Sequence, residues 1–253
     1  MRLIKGFYMA LGMFTAIPLP FHIWEEKLAT IMITLFPLIG VVIGAIWWGA
    51  GILLTMPDFP VVMVSAVMVV APLLVAGFIH LDGYMDTSDA LLSYRPLEDK
   101  LRILKDPTVG AFAVIMLAIL FVLQFAAVFT IVDGGRYMAL LIAICVISRS
   151  CSALAIFVLR HMPISNYIAM LGGSIGKGVK AFSGLIMVAA VSLSFLYAGF
   201  VGLIVAAAVV VGYSLAMRKA CKAFGGISGD LLGYALVIGE LCGLIALALL
   251  QRF

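Results

Sequence analysis

The chain has 253 residues, 65% of them hydrophobic and only 11% charged, with a mean hydropathy of +1.26. An ordinary soluble domain is about half apolar and about a quarter charged, so this chain has too little polar surface to face water, which excludes a soluble enzyme or a nucleic-acid-binding domain. The apolar excess runs along the whole chain, so neither a signal peptide nor a single anchor accounts for it. The net charge of +4 comes from basic residues clustered in short connections, where membrane topology explains them.

In chain order, residues 1–14 read as an amphipathic helix lying on the membrane surface, ended by the turn at Pro18 and Pro20. A spanning helix needs about 20 mostly apolar residues, because a helix satisfies its own backbone polar groups in hydrocarbon. Apolar runs at 31–56, 60–81, 110–131, 137–159, 181–198, 199–216 and 232–251 predict about seven spans in an all-α, polytopic integral membrane protein. The fifth and sixth run together around Gly199, so six is the alternative count. No internal repeat or soluble domain interrupts residues 1–253, which read as one membrane-embedded domain. A cytoplasmic N terminus gathers Arg2, Lys5, Lys27, Arg95, Lys100, Arg102, Lys105, Arg160, Lys177, Lys180, Arg218, Lys219 and Lys222 on the cytoplasmic face, leaving Arg136 and Arg252 opposite. The polar connections at 82–109, 160–180 and 217–231 then face the cytoplasm. Cys145, Cys151, Cys221 and Cys242 have no CxxC spacing and read as inert, mostly buried thiols.

The segment His80-Leu81-Asp82-Gly83-Tyr84-Met85-Asp86-Thr87-Ser88-Asp89 carries the densest polar information. On a helix Asp82, Asp86 and Asp89 share one face, and His80 projects to the other side. Three like charges on one stripe repel unless a cation sits among them, and hard oxygen donors without cysteine point to Mg²⁺ or Mn²⁺ rather than zinc. A solvated acidic helix end is the plainer alternative. Pro96 to Lys105 reads as a short interfacial helix, with Glu98 pairing Arg102 at i+4, that stops at Asp106-Pro107. Asp106 is either a cap or a fourth acidic member of the site. Arg149 lies deep in the fourth span and must meet a carboxylate, with Glu240 the candidate, or fork onto a phosphate in a polar cavity. Asp230 sits in the Gly-rich stretch Gly225-Gly226-Ile227-Ser228-Gly229, where glycines allow close backbone approach to a phosphate. The stretch Gly172 to Gly178 lacks the first Gly and final Ser/Thr of a phosphate-binding P-loop and reads as a cytoplasmic loop whose Lys177 and Lys180 meet lipid headgroups.

HLDGYMDTSDALL followed by LKDPTVGAF resembles the signature of the cobalamin synthase family, the adenosylcobinamide-GDP ribazoletransferases. Phe14 to Pro20, Phe36-Pro37-Leu38-Ile39-Gly40, the Ser148-Arg149 pair and Gly225 to Gly233 resemble further family segments in the same order, so the likeness covers essentially the whole chain. Ala16 stands where the family usually has Arg, Ser228 where it has Thr, and Val237 where many members have Glu.

The resemblance implies a membrane enzyme that joins adenosylcobinamide-GDP to α-ribazole or α-ribazole 5′-phosphate. GMP is released and adenosylcobalamin or its 5′-phosphate is formed, with Mg²⁺ as cofactor. On that reading Asp82, Asp86 and Asp89 are metal ligands or base. His80, Lys105, Asp106, Arg149, Gly229 and Asp230 contact substrate or phosphate. The partners are the two substrates and membrane lipids, with a homo-oligomer left open and no nucleic acid. The protein is placed in the cytoplasmic membrane with its site toward the cytoplasm. Two rival classes fit less well. A CDP-alcohol phosphotransferase needs Ala where Asp86 stands, and a transporter commonly shows repeated halves.

The orientation is testable by labelling. Cysteines replacing Ser93 and Ser174 are expected to react only with reagent admitted to the cytoplasm, and one replacing Gly134 only from outside. Labelling of the Ser93 replacement in intact cells would reverse the topology.

Overall fold

The computed structural model describes residues 1–56, 59–162 and 177–251. Among them it is helical throughout, with one isolated parallel bridge between His161 and Ile227. The helices, in chain order, are α1 (Arg2–Phe14), α2 (Ala29–Thr34), α3 (Phe36–Thr55), α4 (Val61–Ala76), α5 (Ile79–Leu92), α6 (Leu97–Ile103), α7 (Ala111–Gly134), α8 (Leu140–Val158), α9 (Lys177–Ala198), α10 (Phe200–Phe224) and α11 (Gly229–Leu249). Helices α3, α7, α8, α9, α10 and α11 are each long and apolar enough to cross a membrane, and α4 with α5 makes a seventh if the bent pair counts as one span.

The N-terminal helix forms as expected. It turns Met9, Ala10 and Phe14 inward and leaves Leu3 and Ile4 exposed, and Lys5 pairs with Glu25 at 2.6 Å. The first apolar run is not one helix: it breaks at Leu35, because Pro37 cannot donate to the preceding turn and so starts α3 afresh. Gly199, at φ 58°, separates α9 from α10 and resolves the ambiguity between the fifth and sixth runs into two helices. Nothing breaks α10 at residue 216. It runs on to Gly225, so Arg218, Lys219 and Lys222 ride on a helix rather than in a loop. The Gly172–Gly176 stretch, the Lys177 side chain, Ser174 and Arg252 lie outside the described residues.

The largest departure from the sequence reading is the second run, expected as one span over 60–81. Its helix α4 stops at Ala76 and α5 leaves it at 96°. Gly77 and Phe78 both take left-handed backbone, φ 67° and 61°, and their N–H groups donate to the carbonyls of Leu74 and Leu73. This is the way a helix end satisfies its last carbonyls. The Ala16 N–H donates to the Val75 carbonyl at 2.8 Å, tying the segment after α1 to the bend. Sixteen residues of helix reach about 24 Å, short of the ~30 Å hydrocarbon thickness. The aspartate helix α5 is therefore turned across the end of the bundle instead of continuing the span.

The helix ends meet in two groups. At one end, α5 meets the starts of α7 and α11, and the segment after α8 bridges to the loop before α11 through Met162 N–H to Ile227 O at 3.0 Å and Ile227 N–H to Arg160 O at 2.9 Å. At the other end, Gln251 donates to the Arg136 carbonyl at 2.6 Å and accepts from its N–H at 3.1 Å. The polar stretches around 82–109 and 225–230 thus share one end of the bundle.

Replacing Gly77 by Val forces a β-branched residue into left-handed backbone, at a cost of about 1–2 kcal/mol from that conformation alone. Thermal unfolding in detergent is expected to shift down for Gly77→Val while Gly49→Ala, at an open position, stays near wild type.

Candidate active site

The aspartate segment is helical from Ile79 to Leu92, as its spacing predicts. Its partner is α11. A Cβ on Gly83 would lie 2.7 Å from the Asp230 carbonyl oxygen, and one on Gly233 would lie 2.9 Å from the His80 carbonyl oxygen. Two glycines, one on each helix, therefore let the backbones touch where any side chain would hold them apart. Tyr84 and Tyr234 stack beside this contact with centroids 5.9 Å apart, and the Tyr84 hydroxyl donates to the Met116 carbonyl on α7 at 3.1 Å.

The contact brings Asp230, in the first turn of α11, to the aspartates of α5. Asp82 is exposed, and Asp86 and Asp89 are half-buried. Partial burial, and then the charges of Asp82, Asp230 and Asp89, push the Asp86 carboxyl up to about 6. Like charges gathered at one helix crossing favour protonation or a bound cation. Ser228 caps α11 by accepting from the Leu231 N–H, and its hydroxyl donates to Asp230 Oδ2 at 3.4 Å, which holds that carboxylate beside the crossing.

Asp89 is placed differently from its neighbours. Its Oδ1 accepts from the Ala113 N–H at 3.3 Å, at the start of α7, and its carboxylate fills the space that a Gly110 side chain would need. It occupies the favourable end of that helix dipole. Asp106 is exposed, and its Oδ1 accepts from both the backbone N–H (2.9 Å) and the hydroxyl (2.6 Å) of Thr108, which is the capping-type turn. Lys105 beside it is exposed. On α6, Arg102 pairs with Asp99 at 3.5 Å rather than with Glu98: the i, i+3 partner lies nearer on the short exposed helix.

His80 points away from the aspartate stripe, as its position on the helix predicts, into an aromatic corner. Its ring lies 5.7 Å from Phe36 and 6.5 Å from Phe14, which pack on each other at 4.3 Å. Withdrawal from water, and then the Arg149 charge, pull the imidazole down to about 3, so it is neutral. Behind it lies the deep polar cluster. Arg149, buried on α8, donates to Glu240 Oε1 at 2.7 Å and to the Cys145 carbonyl at 3.1 Å, while the Ser148 hydroxyl donates to the same Glu240 oxygen at 2.9 Å. Arg149 thus has the carboxylate partner that the sequence pointed to in Glu240.

A cavity of about 160 Å³ opens between these groups. Asp82, Asp230 and Gly229 line its acidic end, and Phe14, Phe36 and His80 line its apolar side. A second cavity, about 30 Å³, lies behind His80 against Arg149, Glu240 and Gln124. Sequence reading passed over Phe14 and Phe36 as site residues and Gln124 altogether. A lone amide in the otherwise apolar run 111–132 was the available signal for Gln124.

The profile of the cobalamin-5-phosphate synthase family matches residues 6–248. The chain belongs to that family. It is similar over 98% of its length to an adenosylcobinamide-GDP ribazoletransferase of Clostridium botulinum (strain Alaska E43 / Type E3), at 38% identity over 98% of that protein. A Clostridium perfringens (strain SM101 / Type A) protein of the same name is 36% identical across 97% of this chain and 98% of its own length, and one from Geobacillus kaustophilus (strain HTA426) is 32% identical across 93% and 92%. No solved structure matches the chain. Cobalamin-5-phosphate synthase is a transferase, so the chain is an enzyme, and the resemblance read from HLDGYMDTSDALL holds.

Removing one partner of the Arg149–Glu240 pair leaves a buried charge uncompensated, at about 3–5 kcal/mol. Arg149→Met alone is expected to lower thermal stability in detergent sharply. Arg149→Met with Glu240→Gln is expected to recover most of it. A double variant as unstable as the single one would contradict the pairing.

Proposed function

We propose that this enzyme transfers the cobinamide phosphate of adenosylcobinamide-GDP to the ribose 3′-hydroxyl of α-ribazole or its 5′-phosphate. The 3′-oxygen bonds to the cobinamide-linked phosphorus, the bond from that phosphorus to the bridging oxygen breaks, GMP leaves, and the hydroxyl proton passes to a carboxylate. The observation that carries this reading is the meeting of Asp82 of α5 with Asp230 of α11 in the lining of a cavity, with Asp86 close enough to feel both charges, in a chain whose relatives bear the name adenosylcobinamide-GDP ribazoletransferase.

The donor set suits Mg²⁺. It offers hard carboxylate oxygens, and among the described residues no three His, Cys, Asp or Glu side chains close into a complete ligand group. Mg²⁺ is commonly held by one or two carboxylates with the rest of its shell from water and substrate phosphates. One or two of Asp82, Asp86 and Asp230 would hold it together with substrate phosphate oxygens, and it would supply charge neutralisation for the pyrophosphate. The side chains do the rest. An aspartate of this trio that remains free can accept the 3′-hydroxyl proton. Asp89 keeps α5 docked on the start of α7, and the Gly83–Gly233 contact keeps Asp230 facing Asp82. The basic residues of the connections give this end of the bundle its cytoplasmic orientation in the cell membrane.

In purified protein with both substrates and Mg²⁺, GMP release is expected, and excess EDTA is expected to abolish it. Asp82→Asn, Asp86→Asn and Asp230→Asn are each expected to lower turnover by about 10²-fold or more, the scale of losing a metal-site interaction, without loss of thermal stability, since each removes like-charge repulsion. Full turnover in EDTA would remove Mg²⁺ from the proposal.

A further inference from the structure

We infer that the apolar side of the 160 Å³ cavity is the subsite for the base of ribazole, with the ribose facing Asp82 and Asp230. This inference rests on the proposed function and adds which part of which substrate enters the cavity.

Size decides first. Pockets for drug-sized ligands run from about 300 Å³ upward, so a cavity of about 160 Å³ takes one flat ring system. It excludes a corrin macrocycle and a whole nucleotide. Three flat bases are present in the substrates, the guanine of the leaving group, the adenine of the adenosyl ligand and the dimethylbenzimidazole of ribazole, and polarity separates the last from the two purines. Guanine and adenine each carry several hydrogen-bonding atoms on their edges, and each one buried without a partner costs about 1–3 kcal/mol. Away from the aspartates the cavity wall is Phe14, Phe36, Ile33, Ile156, Leu232 and Leu236. The polar groups on that side are His80 and Ser152, and the Ser152 hydroxyl already donates to the Ser148 carbonyl at 3.2 Å. Dimethylbenzimidazole presents two methyl groups, a hydrocarbon ring and one free ring nitrogen, which suits this wall. The tilted Phe14 and Phe36 rings and the His80 ring offer faces and edges to a flat aromatic guest.

Connectivity then agrees with the chemistry. The base and the 3′-hydroxyl sit on the same ribose, a few bonds apart. A base held against Phe14 and Phe36 leaves the sugar at the end of the cavity lined by Asp82, Gly229 and Asp230. The acceptor hydroxyl therefore lies beside the carboxylates while the much larger corrinoid approaches from outside.

The test separates the two substrates. Ile79 lines the cavity at its exposed rim, 43% accessible, so Ile79→Trp narrows the entrance with little risk to folding; Ile156→Ala enlarges the buried wall. Steady-state KM is measured for α-ribazole 5′-phosphate and for adenosylcobinamide-GDP separately, with thermal unfolding as the folding control. Binding of radiolabelled α-ribazole to protein in lipid nanodiscs without corrinoid gives a readout independent of turnover. Ile79→Trp is expected to raise the ribazole KM and weaken ribazole binding by tenfold or more, with the corrinoid KM within twofold of wild type. Ile156→Ala is expected to improve acceptance of a ribazole analogue with bulkier ring substituents relative to the natural base. Folded variants with unchanged ribazole KM and binding, or with the corrinoid KM rising instead, overturn the subsite. Wild-type protein that releases no GMP with both substrates overturns the proposed function itself.

Discussion

The approach of α5 to α11 at Gly83 and Gly233 is the constraint on which the site depends. Asp82 and Asp86 stand on one helix and Asp230 on another more than a hundred residues later. They come together only because each helix presents a bare backbone at the crossing. Electrostatics opposes this, since every carboxylate there raises the proton affinity of Asp86. Packing holds it: the Tyr84–Tyr234 stack, the Tyr84 hydrogen bond to α7 and the Asp89 contact with the start of α7 all fasten α5 to its neighbours. A fold that keeps like charges together by apolar and hydrogen-bonded contacts is poised to gain from binding a cation and phosphates.

The second organising element is buried. Arg149 and Glu240 join α8 to α11 within the bundle, and their desolvation is offset by short hydrogen bonds from Ser148 and to the Cys145 carbonyl. The guanidinium also lies 5.8 Å from the Phe36 ring, the same ring that borders the cavity. The pair thereby sets the wall against which Phe36 and His80 rest.

The 96° turn at Gly77 and Phe78 gives the site its place at the end of the bundle. Had α4 continued straight, the aspartates would lie along a span, where carboxylates are costly. Turning the helix leaves Asp82 accessible while its other face, with Leu81, Tyr84 and Leu91, stays buried on the bundle. Large, water-soluble substrates can then reach the carboxylates without entering hydrocarbon.

Much of this was legible in the residues alone. Composition sets the membrane class, because backbone polar groups in hydrocarbon leave few choices besides helix. The i, i+4, i+7 spacing sets which aspartates share a face, because helical geometry is local. The HLDGYMDTSDALL motif carries the family. What the sequence leaves open is every relation between helices. The break at Leu35, the bend after Ala76 and the extension of α10 to Gly225 depend on what each segment packs against, so span boundaries read from hydropathy ran past or short of them. The placement of Asp89 and Asp230 is tertiary: Asp89, while still near Asp86, accepts from the start of α7, and Asp230 comes to Asp82 and Asp86 from another helix. That Arg149 reaches Glu240 depends on the placement of α11 beside α8. Local rules act over one or two turns of chain, whereas a site lined from six separate helices is decided by which backbones can come close enough to touch.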